Sequence, residues 1–176
     1  MLKRFPPFQE LVPVYAVISV MLSGWTIVAF LWKLPAWILM LTTREIFTIF
    51  SYSMFTNLLE SLTVLLILLI ACALLPSHFL HDDFIVRGTI LAIGLIGSVM
   101  VFLGSYIQLG IEKPKNLLIG PIITLLLTVF LLVFSAKFPL IRSAALWISD
   151  RLIVFLLVLV PLSLALSFYV IFRMIL

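Results

Sequence analysis

Long apolar runs separated by short polar or proline-bearing stretches make up nearly the whole chain, and the length of those runs sets the fold. A helix rises about 1.5 Å per residue, so roughly 20 residues cross a hydrocarbon core about 30 Å thick with every backbone polar group bonded internally. Five segments meet that requirement, 11–32, 46–75, 84–109, 116–136 and 152–175. The pattern predicts an all-α integral membrane protein, a single polytopic transmembrane domain over residues 1–176. It is a bundle of about five transmembrane helices with short interfacial segments.

The polar residues between runs carry helix signals. Pro6 and Pro7 precede the first span, whose apolar run is longer than a signal-peptide core and lacks a small-x-small cleavage site, so it reads as an uncleaved first helix. Thr42 and Glu45 fit the Ser/Thr-x-x-Glu capping box, and nothing stops the second helix before Pro76. That is roughly 50 Å of helix, which must tilt, protrude or break. Asp82 or Asp83 can cap the third span and Gly110 can close it, while Pro121 falls in the first turns of the fourth. Ser149 or Asp150 can cap the fifth, in which Pro161 predicts a kink. Two short apolar pieces read as interfacial segments. One is 34–41, with Trp37 just after Pro35; the other is 139–148, with Leu140, Ile141, Ala144, Ala145 and Ile148 opposite Arg142 and Ser143.

Composition narrows the class further. The 176 residues are 65% hydrophobic and 10% charged, whereas a soluble domain averages about 45–50% and 25%. A disordered chain is excluded by this apolar content, and a disulfide scaffold by Cys72 being the only cysteine, which reads as a small buried hydrophobe. The net charge of +4 is carried by Lys and Arg scattered at the ends of apolar runs. That placement suits a lipid bilayer as partner and gives no nucleic-acid stripe. With a cytoplasmic N-terminus, Lys3, Arg4, Arg87, Lys137, Arg142 and Arg151 face Lys33, Arg44, Lys113, Lys115 and Arg173 across the membrane. The two sets nearly balance, so the expectation of a cytoplasmic N-terminus rests on the usual dominance of the first segment.

Glu60 stands out, since a charged side chain at a helix centre costs about 2.5–3.5 kcal/mol on insertion scales. Ser53, Thr56, Asn57, Glu60 and Thr63 recur at spacings of three and four, forming one polar stripe on a helix otherwise made of Leu, Ile and Phe. Such a stripe faces the bundle interior, a watery crevice or a partner. It is read either as a carboxyl hydrogen-bonded between helices or near a wet helix end, or as a group that handles protons or cations. His78, His81 and Asp82, with Asp83, are the only cluster of metal-ligand types. Their spacing is what a polar turn before a helix start requires, so no metal and no cofactor is expected. No nucleophile elbow, phosphate loop, dinucleotide fingerprint or HExxH pattern occurs, so no catalytic residue is assigned and an enzyme is not favoured. Gly94, Gly97, Ser98 and Gly104 put small residues on the third span, and Gly94 with Ser98 makes a small-xxx-small pair. Packing within the monomer is the favoured reading of that face, ahead of homodimerisation. The chain is therefore expected to be a non-enzymatic scaffold or accessory subunit, with a membrane-protein partner or a homo-oligomer as its assembly. The alternative is a small transporter or channel using Glu60, and a lipid enzyme at the 78–83 turn is the least supported.

Overall fold

The computed structural model describes residues 6–74, 83–109, 118–135 and 138–175. They form five helices: α1 Phe8–Met40, α2 Thr43–Leu74, α3 Phe84–Leu109, α4 Ile119–Ser135 and α5 Pro139–Ile175. Four of these, α1, α2, α3 and α5, are long and apolar enough to cross a membrane, whereas α4 is a shorter apolar helix of 17 residues. The architecture is an all-α membrane bundle.

Helix ends follow the local chemistry where a real stop exists. Leu41 leaves the helical region (φ −120°, ψ 151°) and donates its N–H to the Trp37 carbonyl at 2.7 Å, ending α1. One residue later the capping box starts α2. Thr42 N and Oγ1 each donate to Glu45 Oε2 at 2.8 Å, and Glu45 N donates back to Thr42 Oγ1 at 3.4 Å.

Neither interfacial segment stands apart. Residues 34–41 continue α1 through Pro35 to Met40, and 139–148 form the first turns of the 37-residue α5. The reason is the same in both. Pro35 removes one backbone donor, yet the flanking residues are apolar and offer the chain no other way to satisfy its remaining groups. Ser149, expected as a cap, sits within α5 and donates instead to the Leu146 carbonyl at 2.9 Å. Pro139 takes the first helical position, where its missing N–H costs little.

Cross-contacts set the helix directions. α1 is central: it packs on α2, α3 and α5, while α4 packs chiefly on α3. Thr26 meets Asn57 and Phe30 meets Phe50, so α1 and α2 run antiparallel. Val14 lies against Gly88 and Trp25 against Gly104, so α3 runs parallel to α1. Phe47 stacks edge-on against Tyr169, bringing the end of α5 to the start of α2. The main core joins Val14, Val17 and Ile18 of α1 to Leu68 and Cys72 of α2 and Phe84, Ala92 and Ile96 of α3. Outside it, large apolar side chains such as Leu66, Leu126 and Val158 are exposed, the surface expected where hydrocarbon is the solvent.

Charged residues form two belts. Glu10, Asp83, Arg87, Arg142, Asp150 and Arg151 lie toward one end, where Arg142 Nη2 bonds Asp83 Oδ1 at 2.9 Å. Lys33, Arg44, Glu45 and Arg173 lie toward the other, and Arg173 donates to Thr48 Oγ1 there. Glu10 to Lys33 along α1, and Arg151 to Arg173 along α5, are helix rises of roughly 33–35 Å, close to the thickness of a hydrocarbon core. Between the belts the described helices carry a single Asp, Glu, Lys or Arg, and it is Glu60.

Candidate functional site

The polar stripe of α2 is about 120° wide at 100° per residue, and that width decides its fate. One edge turns into the bundle. Asn57 is buried, and its Oδ1 accepts from Thr26 Oγ1 at 3.0 Å. Next to it Ser61, also buried, pairs its Oγ with Tyr15 Oη at 3.2 Å. The other edge, Thr56, Glu60 and Thr63, is exposed, with Ser53 half-buried.

Most of the hydroxyls on this stripe are bound to their own helix. Ser53 donates to the Ile49 carbonyl at 2.9 Å, Thr56 to Tyr52 at 2.9 Å and Thr63 to Leu59 at 2.7 Å. None reaches Glu60, which makes no hydrogen bond or ion pair to any other described residue. By helix rise it lies about 24 Å from Arg44 and about 21 Å from Leu74, near the middle of α2 and far from a wet end. Asn57 Nδ2, one turn away, is a buried donor without an acceptor.

Glu60 and Asn57 line a groove of about 500 Å³. α1 is its floor, through Leu22, Trp25 and Thr26; α2 is one wall, and α3 is the other, through Leu95, Val99 and Leu103. α2 and α3 both pack on α1 and barely touch each other, which leaves the groove open along the side of the bundle. A smaller cavity of about 180 Å³ shares Trp25 and Thr26 with it and reaches Ser53, Lys33 and Trp37.

The α1 side of this site escaped the sequence reading. Tyr15, Ser19, Ser23 and Thr26 recur at three- and four-residue spacing, and Ser19 and Ser23 are buried. The same three- and four-residue spacing that marks the α2 stripe marks this one, although periodicity does not say which residues of the two stripes pair.

The small residues of α3 serve two neighbouring helices and a cavity. A Cβ on Gly94 would lie 2.6 Å from Thr128 Cβ, so α4 comes too close there for any side chain. Ser98 Oγ donates to the Pro121 carbonyl at 3.2 Å, a second tie to α4. Gly104 lies against the Trp25 ring of α1, while a Cβ on Gly97 would meet nothing within 4 Å. Gly97 instead lines a second, almost wholly apolar cavity of about 500 Å³ between α3, α4 and α5, where the hydroxyl of the buried Thr89 has no partner.

His78, His81 and Asp82 lie outside the described residues; their neighbour Asp83 is paired with Arg142. Among the described residues no three His, Cys, Asp or Glu side chains gather as a metal site would require. No protein-family model, curated protein or solved structure matches this chain.

Proposed function

We propose that this protein is a non-enzymatic accessory or scaffold subunit that assembles with another membrane protein in the plane of the bilayer, its N-terminus on the cytoplasmic side. The reading is carried by Glu60, a carboxyl group at mid-span that faces a lateral groove and finds no partner among the described residues. An intramembrane ionisable group costs a few kcal/mol unless something satisfies it, and a neighbouring helix in the same membrane is the simplest source of a partner. The hydroxyls that line α2 are turned to backbone carbonyls and leave no arrangement of nucleophile and base.

A small transporter or channel using Glu60 is the second reading, supported by the volume of the groove and by the cavity that extends it toward Lys33. It is weakened by the sideways opening and by the absence of a second charge between the two belts on the described helices. Size analysis of the tagged protein extracted from its own membranes in mild detergent separates the two. The subunit reading expects a stoichiometric complex with a second membrane protein, which Glu60→Leu dissolves while the monomer stays helical. A monodisperse monomer from both proteins, with proton- or cation-coupled flux in vesicles that Glu60→Gln abolishes, would replace it with the transporter reading.

A further inference from the structure

The groove has the form of an unfilled helix position. Its floor is one helix and its walls are two more that barely touch each other, so a single further helix laid along α1 would contact all three. Its lining is apolar apart from the α2 edge and Thr26, as a helix–helix seam in hydrocarbon is. The polar exceptions specify the rest. Glu60 needs a donor or a cation at the depth of the bilayer centre, and Asn57 Nδ2 lacks an acceptor one turn away.

We infer that the groove takes one transmembrane helix of a different protein, which presents a Lys or Arg side chain to Glu60 near the bilayer midplane. A second copy of this chain fits poorly, because its described helices carry no Lys or Arg between the two charge belts. Two Glu60 groups brought together would face each other as like groups instead of being neutralised. A basic side chain satisfies the carboxylate by charge and by hydrogen bonding at once, the stronger kind of contact where no water competes. This inference rests on the subunit reading above and adds the chemistry of the partner.

The test uses the whole chain in phosphatidylcholine vesicles with synthetic single-span Leu/Ala helices as probes. One probe carries a central Lys, one a central Leu and one a Lys moved two turns toward an end. Association is read by energy transfer between a dye on the probe and one on the protein. The central-Lys helix should bind about three- to tenfold more tightly than the other two. Glu60→Gln, with helicity and monodispersity checked, should bring all three to the same level. Equal binding of the three probes to the unaltered protein overturns the inference, and so does a Lys preference that survives Glu60→Gln. Self-association lost in Glu60→Gln would assign the groove to a second copy. Saturable binding of tetraphenylphosphonium that needs Glu60, with no Lys-helix preference, would assign it to a lipophilic cation. If the probes fail while the native complex still depends on Glu60, the subunit reading stands and only the basic partner is lost; if both fail, both are wrong.

Discussion

Thr26→Val is the substitution that best tests how α1 and α2 are tied beneath the groove. It keeps the shape of the side chain and removes the hydroxyl that donates to Asn57 Oδ1 at 3.0 Å. Asn57 is buried and its Nδ2 already lacks a partner, so the change strands the entire amide. Losing an interhelical hydrogen bond in a bilayer costs on average about 0.6 and at most about 1.7 kcal/mol, and a stranded buried polar group in a soluble protein costs about 1–3 kcal/mol. The tie between α1 and α2 should therefore weaken by about 1–2 kcal/mol. Asn57→Leu removes the whole amide, including the donor that is unsatisfied from the start, and leaves Thr26 free to turn its hydroxyl to the carbonyl one turn back, as Thr56 and Thr63 do. It should cost less than Thr26→Val, provided the leucine fits. In the Asn57→Leu background Thr26→Val should cost almost nothing. Reversible unfolding in mixed dodecyl sulfate and phosphocholine micelles, followed by circular dichroism, gives all four corners of this cycle. An equal cost for Thr26→Val in both backgrounds would show that the hydroxyl acts alone and that the buried amide is not held through it.

Other sites test the packing and the ends. Gly94→Ala should destabilise by about 1–3 kcal/mol through overpacking against Thr128, and Thr128→Gly should recover part of that loss in the same unfolding assay. Gly97→Leu should be neutral or stabilising, because its Cβ points into open apolar space and a helix favours Leu over Gly by roughly 0.8 kcal/mol; a loss above that size would mean the cavity is already filled. Thr42→Ala removes the capping hydroxyl of α2 and should cost about 0.5–2 kcal/mol, visible as faster hydrogen exchange in residues 43–47. Arg142→Ala breaks a half-exposed ion pair with Asp83 and should shift stability by less than about 1 kcal/mol, an effect that fades as salt is raised.

How far the chain could be read in advance depends on whether the deciding contact was local. The start of α2 was legible because the capping box is closed by residues three apart, Thr42 and Glu45. Glu60 and its stripe were visible for the same reason, since periodicity along one helix is a local property. The expectation that 34–41 and 139–148 form separate interfacial segments is not met, because a short length and an amphipathic pattern do not show whether a segment is continuous with the neighbouring helix. In a long apolar helix Pro35 forfeits one bond and Ser149 turns its hydroxyl to Leu146, so neither ends anything. The partner of Asn57 was illegible for a different reason. It lies 31 positions away, and only the hairpin of α1 on α2 brings Thr26 within reach.

That non-local step is also where fold and proposed function meet. Asn57 and Glu60 are three residues apart, about 60° around the helix axis, so the rotation of α2 that buries Asn57 against α1 sets Glu60 at the margin of that contact. The hydrogen bond from Thr26 holds the Asn57 edge against α1, and by doing so aims Glu60 at the gap between α2 and α3. Loosening that tie should therefore change what docks at Glu60 even though Thr26 carries no charge. Thr26→Val should reduce the preference for a central-Lys helix along with the stability of the hairpin. Glu60→Gln should remove the preference and leave the hairpin as firm as before. If the two substitutions instead produce the same pair of losses, Glu60 is itself part of the hairpin's support, and the groove has no separate role as a docking site.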